Sequence, residues 1–229
     1  MIIKGNRQEL QQQAASLLAE AINETLTRQP QTSFGVVGGR SVGAVLEQLG
    51  NEQVDWQRVH LFMADERLVQ PDHPDSNYRL VNSHVSSYMI PGNLHPFICR
   101  PGEEQAALVK YRQKLEKVGG QLDVVLLSSG EDGHIASLFP EHETIDSRDD
   151  FFFTTLSAPK PPPGRMSASA KLLSKASTAV LLFFGADKQQ ALDNFMDDSV
   201  PLRKCPAKIV NAIDKHFILT DSVGGIRES

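Results

Sequence analysis

The sequence predicts an α/β fold with a mainly parallel sheet that carries helices on both faces. Short apolar segments typical of strands alternate with helical patterns of 10–15 residues, which is the pattern of βαβ units. One such segment, residues 122–127, is interpreted as a continuous apolar strand, as expected for a strand buried in a parallel sheet. The 229-residue chain can bury a large core and contains no obvious linker, so we expect a single domain over residues 1–229.

The individual elements follow from spacing and turn residues. Apolar side chains recur at helical spacing over residues 8–27, a strand is predicted at 33–37, and a helix through 42–49 is expected to end at Gly50. The remaining predicted elements are strands at 59–64, 122–127, 179–184 and 216–219, and helices at 103–118, around 172–176 and at 187–196. The Pro-rich residues 159–163 are expected to form a rigid surface loop, because proline cannot join the interior of a sheet.

Composition and charge exclude several classes of protein. A net charge of −5 and a pI near 5.8 argue against a general nucleic-acid binder. Cys99 and Cys205 are isolated, with no paired spacing and no four-ligand Cys/His cluster, so no metal site is predicted. Two lone thiols favour a reducing compartment, with a disulfide between them as the alternative. The N-terminus lacks the apolar core of a signal peptide, and the longest apolar run is far shorter than the ~20 residues that span a bilayer. We therefore expect a cytoplasmic protein that binds neither membranes nor nucleic acid.

Three polar motifs directly follow predicted strands. They are residues 38–41 (Gly-Gly-Arg-Ser), 65–67 (Asp-Glu-Arg) and 130–134 (Gly-Glu-Asp-Gly-His). Ligands of open α/β sheets bind beyond the carboxyl ends of the strands, so three motifs at one edge of the sheet indicate a shared site.

The glycine motif has the character of a phosphate site. Gly38 and Gly39 allow a ligand to approach the backbone, and the helix that follows presents free N–H groups. Arg40 and Ser41 add side-chain donors. The motif matches neither the dinucleotide fingerprint nor the P-loop, and a strand-to-helix turn that binds nothing is an equally weighted alternative.

Candidate catalytic groups lie in the other two motifs. Arg67 can stabilise a developing oxyanion, although a solvated loop with weak internal ion pairs is the alternative. His134 lies in a tight glycine turn, and its reference pKa near 6.5 suits proton transfer at neutral pH. Asp132 can orient it. The other six histidines are expected to be structural.

A helix start is predicted near residues 75–77. Asp75 is the favoured cap of this helix, with Ser76 as the alternative. Ser76 and Asn77 can still face the same cleft as the strand-end motifs.

Taken together, these motifs resemble those of the 6-phosphogluconolactonases, whose family also includes glucosamine-6-phosphate deaminases. The resemblance rests on residues 64–67 (Ala-Asp-Glu-Arg), 75–78 (Asp-Ser-Asn-Tyr), 130–140 (Gly-Glu-Asp-Gly-His-Ile-Ala-Ser-Leu-Phe-Pro), the Pro-rich 159–167 with Arg165, and 185–188 (Gly-Ala-Asp-Lys). It implies a three-layer α/β/α sandwich that hydrolyses 6-phospho-D-glucono-1,5-lactone, the second step of the oxidative pentose phosphate pathway, without metal or cofactor.

The resemblance also implies roles for particular residues. His134 acts as general base, Arg67 stabilises the oxyanion, and Asp65 and Asp132 orient substrate hydroxyls and the imidazole. The residues expected to bind the substrate and its phosphate are Gly38, Gly39, Arg40, Ser41, Ser76, Asn77, Arg165 and Lys188. The protein is expected to be a monomer or a weak homo-oligomer.

Two alternative functions remain open at this point. An amino-sugar-phosphate isomerase-deaminase shares the Asp-Gly-His motif, but those enzymes continue into Phe-Asn-Glu-Pro where this chain has Ser-Leu-Phe-Pro at 137–140. A sugar-phosphate sensor that regulates transcription would need a helix-turn-helix domain, and the sequence has no basic N-terminal region of that kind.

Overall fold

A computed structural model describes residues 1–221 of the chain. The strands are β1 (Ile2–Lys4), β2 (Thr32–Val36), β3 (Val59–Met63), β4 (Asp65–Arg67), β5 (Leu94–His95), β6 (Val124–Ser128), β7 (Phe152–Thr155), β8 (Arg165–Ala168), β9 (Thr178–Phe183) and β10 (Lys215–Thr220). The helices are α1 (Arg7–Arg28), α2 (Arg40–Leu49), α3 (Asn77–Val85), α4 (Glu104–Glu116), α5 (Ala170–Leu173) and α6 (Gln189–Met196).

Seven strands form one parallel sheet in the order β1-β10-β9-β6-β2-β3-β5. Every residue of β2 and β9 is buried, as is usual for strands covered on both faces. Because all seven strands run the same way, the segments that follow β2, β6 and β9 emerge at one edge. The predicted α/β fold with a mainly parallel sheet is confirmed.

The helices form where the sequence predicts amphipathic segments. The Asn6 side chain caps α1 by accepting a hydrogen bond from the Glu9 N–H at 2.9 Å. The buried face of α1 includes Leu10, Leu18 and Ile22, each at most 1% exposed. α1 packs against α2 and α2 against α3, so these three helices form a contiguous layer beside the sheet.

A second, antiparallel sheet was not predicted. It has the order β4-β8-β7, and Asp65, Glu66 and Arg67 form its strand β4 rather than a loop. The expected strand over residues 59–64 therefore ends at Met63, and the chain passes almost directly into this second sheet. β1, β5, β7 and β8 were also missed, because two- to four-residue strands contain too little periodicity to be recognised.

Three predicted elements differ in extent from the structure. The strand at 122–127 begins at Val124, because Asp123 is buried and accepts a hydrogen bond from the Ser33 N–H at 2.9 Å. The helix around 172–176 is the single turn α5. The helix at 187–196 starts as a 3-10 turn at Ala186–Lys188 and becomes α-helical only in α6.

The cap of α3 is Ser76 and not the favoured Asp75. The Ser76 Oγ accepts a hydrogen bond from the Arg79 N–H at 3.1 Å, as expected for an N-cap. No helix within residues 1–221 combines the length and apolar character needed to cross a membrane.

Candidate active site

Two glycine turns flank the end of β6 at the carboxyl edge of the sheet. Gly39 after β2 has φ 122° and Gly185 after β9 has φ 112°, a backbone conformation that L side chains rarely adopt. Each turn leads directly into helical residues, and no side chain caps the N-terminus of α2. The N–H groups at the start of α2 are therefore available to an anionic ligand.

A cavity of about 410 Å³ lies between these two turns. It is lined by Arg7, Gln11, Gly39, Arg40, Ser41, Ser128, Phe184, Gly185, Asp187 and Lys188. Four of the residues expected to bind phosphate, Gly39, Arg40, Ser41 and Lys188, therefore meet here. The cavity holds more cationic than anionic side chains, as a phosphate requires.

Arg7 was not predicted to belong to the site. Its Nε lies 2.5 Å from the Asp221 Oδ2, while the Asp221 Oδ1 accepts a hydrogen bond from the Gly185 N–H at 2.8 Å. Arg7 is far from the motifs in sequence, and no local pattern around it indicates a ligand.

Gly38 joins the glycine turn to α3. A Cβ on Gly38 would stand 2.0 Å from the Asn77 Oδ1, so only glycine fits at this close approach. The Asn77 amide in turn donates to the Asp65 carbonyl oxygen at 3.0 Å and to the Asp65 Oδ1 at 3.1 Å. These contacts bring Gly38, Asn77 and Asp65 together.

The His134 imidazole is held by a tight turn after β6. The Gly130 N–H donates to the His134 carbonyl oxygen at 2.8 Å, and a Cβ on Gly130 would stand 2.0 Å from the His134 Nδ1. The His134 Nδ1 lies 2.5 Å from the Asp132 Oδ1, and the ring packs against Phe139 with centroids 4.9 Å apart. Within residues 1–221 the His134 Nε2 has no hydrogen-bond partner. One nitrogen is thus fixed and the other remains available for proton transfer.

Asp132 is kept ionised by its neighbours. Burial alone would raise its pKa, but the hydrogen bonds and charge of His134, together with the charge of Lys160, hold the pKa of Asp132 well below its usual range. A carboxylate next to Nδ1 favours the imidazolium that forms when Nε2 takes a proton.

Asp65 and Glu66 are both buried, at 7% and 2% exposed. The Asp65 Oδ2 accepts a hydrogen bond from the Ser137 Oγ at 3.0 Å, which joins β4 to the segment that follows His134. Glu66 accepts hydrogen bonds from the backbone N–H groups of Arg67, Asn77 and Tyr78 and from the Ser76 Oγ. Burial raises the pKa of Glu66, and these backbone hydrogen bonds oppose the rise.

Arg67 and Arg165 lie opposite each other in the β4–β8 register. Arg67 Nη1 donates to the Asp75 carbonyl oxygen at 2.6 Å, and Arg165 is only 4% exposed. Burial and the charge of Arg67 lower the pKa of Arg165. The Nε atoms of both arginines are buried, and neither finds a hydrogen-bond partner in the described part of the chain. Such groups are normally satisfied, so the pair is suited to an anionic or oxyanionic ligand group.

The candidate residues form one contiguous region at the carboxyl edge. Ser128 lines the cavity and lies two residues before Gly130, while Ser137 links the His134 turn to Asp65. The Ser76 hydroxyl, in contrast, has a structural role: it caps α3 and donates a hydrogen bond to Glu66. Between residues 1 and 221, no group of three or more His, Cys, Asp or Glu is placed to hold a metal ion.

The sequence family described as glucosamine-6-phosphate isomerases/6-phosphogluconolactonase matches residues 5–219. The chain belongs to this family. A relative named 6-phosphogluconolactonase from Borreliella burgdorferi is 33% identical over 205 residues and covers 87% of each chain. Another of the same name from Synechocystis sp. is 27% identical over 229 residues, covering 96% of this chain and 94% of its own.

Solved structures show that the chain has the fold of the 6-phosphogluconolactonases. The crystal structure of a 6-phosphogluconolactonase from Shewanella baltica matches with a TM-score of 0.86, covering 97% of both chains at 23% identity. That from Thermotoga maritima matches with a TM-score of 0.83 and 23% identity, covering 97% of this chain and 98% of its own. The expected family and the three-layer α/β/α sandwich are both confirmed.

Proposed function

We propose that the chain hydrolyses 6-phospho-D-glucono-1,5-lactone to 6-phospho-D-gluconate, with His134 as general base. Membership of the family and its lactonase relatives support the reaction. The observation that carries the base assignment is the 2.5 Å contact between the His134 Nδ1 and Asp132, which leaves Nε2 for a water molecule. This reaction is the second step of the oxidative pentose phosphate pathway.

The proposed mechanism follows from the chemistry of a cyclic ester. The His134 Nε2 takes a proton from the water that attacks C1, and then gives it to the ring oxygen as the C1–O bond breaks. Positioned acid–base help of this kind is typically worth about 10²–10⁴ in rate. Arg67 stabilises the negative charge that builds on the carbonyl oxygen, a contribution of about 3–4 kcal/mol in comparable sites.

The phosphate of the substrate binds, in this proposal, in the cavity between the glycine turns. Arg40 and the N–H groups at the start of α2 supply positive charge and donors. Lys188 and Arg7 also line the cavity, where they form ion pairs with Asp187 and Asp221. Arg165 does not line this cavity, so its charge acts from the neighbouring strand pair together with Arg67.

In this proposal Asp65 and Asn77 lie beside the sugar ring of the substrate. Their contacts with Gly38 and Ser137 tie the phosphate side of the site to the His134 turn, and their oxygens can accept hydrogen bonds from sugar hydroxyls. Ser76 supports them as the cap of α3.

A coupled assay tests the reaction and the base. Glucose-6-phosphate dehydrogenase generates the lactone, 6-phosphogluconate dehydrogenase reports the product as NADPH, and spontaneous opening of the lactone is subtracted. We expect the wild type to accelerate opening and His134→Asn to lose about 10²–10⁴-fold in kcat. His216→Asn is the matched control, because His216 lies at the opposite end of the strands and contacts the Ile213 carbonyl oxygen.

Each negative result has a defined meaning. Wild-type kcat in His134→Asn would remove His134 as the base while leaving the reaction in place. No acceleration by the wild type would overturn the proposed reaction, and ammonia release from glucosamine 6-phosphate would then be measured.

We also infer a single-domain cytoplasmic protein that is a monomer or a weak homo-oligomer and binds no nucleic acid. The adjacency of β1 and β10 supports one domain, since the first and last strands pair. The net charge of −5 argues against nucleic-acid binding, and the two free cysteines favour a reducing compartment. Analytical ultracentrifugation measures the oligomeric state directly.

A further inference from the structure

The Pro-rich segment, residues 159–163, contacts both the histidine turn and the arginine pair. The Lys160 Nζ lies 3.2 Å from the Asp132 Oδ2 and 3.2 Å from the Glu131 Oε1. The carbonyl oxygens of Lys160 and Pro161 accept hydrogen bonds from the Arg165 Nη2 at 3.2 and 3.1 Å. One residue of this loop therefore touches two parts of the site through different atoms.

The two carboxylate oxygens of Asp132 have different partners. Oδ1 binds the His134 Nδ1, and Oδ2 binds the Lys160 ammonium group. With both oxygens engaged, the carboxylate cannot rotate without losing one of these contacts. The Lys160 side chain is 34% exposed, so the contact contributes little to folding and chiefly restricts the geometry of Asp132.

We propose that Lys160 is a positioning residue of the site: its ammonium group fixes Asp132 against His134, while its carbonyl oxygen helps to fix Arg165. The Pro-rich segment thereby couples the base to the arginine pair. This inference rests on the proposed function for its catalytic consequence, but the contacts themselves do not depend on the substrate.

The other titratable groups around Asp132 and His134 do not supply a cation to Asp132. Glu131 is exposed and pairs with Lys160, and the buried Cys205 thiol, whose pKa is raised by burial, lies against Gly133. No other Lys or Arg in the part of the chain described forms an ion pair with Asp132. Within the described residues, the Lys160 ammonium group is therefore the cation that holds the Asp132 Oδ2.

The test compares Lys160→Met with two further variants by ¹H NMR of the His134 Nδ1 proton that is hydrogen-bonded to Asp132, assigned by its loss in His134→Asn. We expect this proton signal to broaden and to move upfield in Lys160→Met, because Asp132 would no longer be held against Nδ1. In the lactone assay kcat should be about 3–10-fold lower, with KM within about two-fold.

Lys160→Arg should restore both the proton signal and kcat, because its guanidinium group can still bind the Asp132 Oδ2. Glu131→Gln is the matched control: it removes the other ion pair of Lys160, and the proton signal should keep its position.

The outcomes separate this inference from the proposed function. An unchanged Nδ1 proton signal in Lys160→Met overturns the positioning role, even if the protein hydrolyses the lactone and His134→Asn is inactive. A changed signal that Lys160→Arg reverses supports the role, even if the wild type shows no lactonase activity, in which case the proposed function alone fails.

Discussion

Asp65 and Glu66 are neighbours in the chain but accept hydrogen bonds from different parts of the molecule. Asp65 accepts hydrogen bonds from the side chains of Asn77 and Ser137, which lie next to the glycine turn after β2 and the His134 turn. Glu66 points to the start of α3 and accepts mainly backbone N–H groups, as a carboxylate at a helix N-terminus does. The alternation of side chains along β4 separates a residue of the site from a structural one.

Glu66→Gln should destabilise the fold. The amide nitrogen of glutamine cannot accept a hydrogen bond, so buried N–H groups at the start of α3 would lose their acceptor. We expect a loss of about 2 kcal/mol in the free energy of unfolding, measured by urea denaturation.

Glu116→Gln serves as the control for this change. Glu116 pairs with Arg112 on the exposed face of α4, so its replacement should cost less than about 0.5 kcal/mol. Equal losses in the two variants would contradict the capping role of Glu66.

At the scale of elements, two similar strand-to-helix turns form walls of the cavity of about 410 Å³. Gly39 and Gly185 have nearly the same backbone angles, with ψ of 151° and 146°. They follow β2 and β9, which are the two neighbours of β6 in the sheet. The arrangement directs the start of α2 and the Ala186–Lys188 turn toward the same space.

Gly39→Ala should weaken both the turn and the binding of phosphate. A φ of 122° is strained for alanine, although no atom lies within 4 Å of the added Cβ. We expect a loss of about 1–3 kcal/mol in stability, because this strain must be borne or relieved by moving the turn. KM for the lactone should rise, since the N–H groups of α2 would no longer be directed into the cavity.

Gly92→Ala provides the comparison, because a Cβ there also meets no atom within 4 Å but the backbone has no positive φ. Its stability should change by less than about 0.5 kcal/mol and its KM should not change. If Gly39→Ala behaved like Gly92→Ala, the turn would not depend on glycine.

For the whole molecule, a histidine pair near one edge of the sheet links stability to pH. The His60 Nδ1 lies 3.0 Å from the His95 Nε2, and the His95 ring stacks on Phe62 at 4.3 Å. Burial, with smaller contributions from the charges of His60 and Lys114, lowers the pKa of His95 to about 4. In the folded protein His95 is therefore protonated only at a lower pH than in the unfolded chain, where its pKa is near 6.5.

Between pH 6.5 and about 4, the unfolded chain binds a proton at His95 and the folded protein does not. The free energy of unfolding should therefore be highest above pH 6.5 and should fall as the pH drops toward 4. We expect the wild type to lose about 2 kcal/mol between pH 7 and 5 from this residue. His95→Gln removes the titration, so its unfolding free energy should depend less steeply on pH, as measured by urea denaturation across this range.

His73→Gln is the control, since the His73 side chain is 46% exposed. Its pH dependence should match the wild type. Parallel curves for His95→Gln and the wild type would contradict the assignment to His95.

Much of the parallel sheet and its helices could be predicted, because each long element has its own periodicity. α1, α2, β2, β9 and β10 lie within a few residues of their predicted bounds. The second sheet could not be predicted, since β4, β7 and β8 are short and β4 pairs with β8 residues about 100 positions away. The start of β6 also depends on a distant residue. Asp123 precedes this strand inside an apolar run, and its carboxylate accepts a hydrogen bond from the Ser33 N–H on β2.

The candidate site divides in the same way. His134, Asp132 and the glycine motif were proposed from local turn chemistry, which the sequence displays within a few residues. Arg7 and Lys160 could not, because their contacts with the site join segments distant in sequence.

The sequence by itself determined the fold class, because hydrophobic periodicity and turn residues act over a few positions, and the resemblance of its motifs indicated the family. Only the tertiary structure decided that Arg67 faces Arg165, that Lys160 reaches Asp132 and that Ser76 rather than Asp75 caps α3. These contacts depend on the register of strands and on the packing of loops, which arise from the whole chain together and leave no local pattern in the sequence.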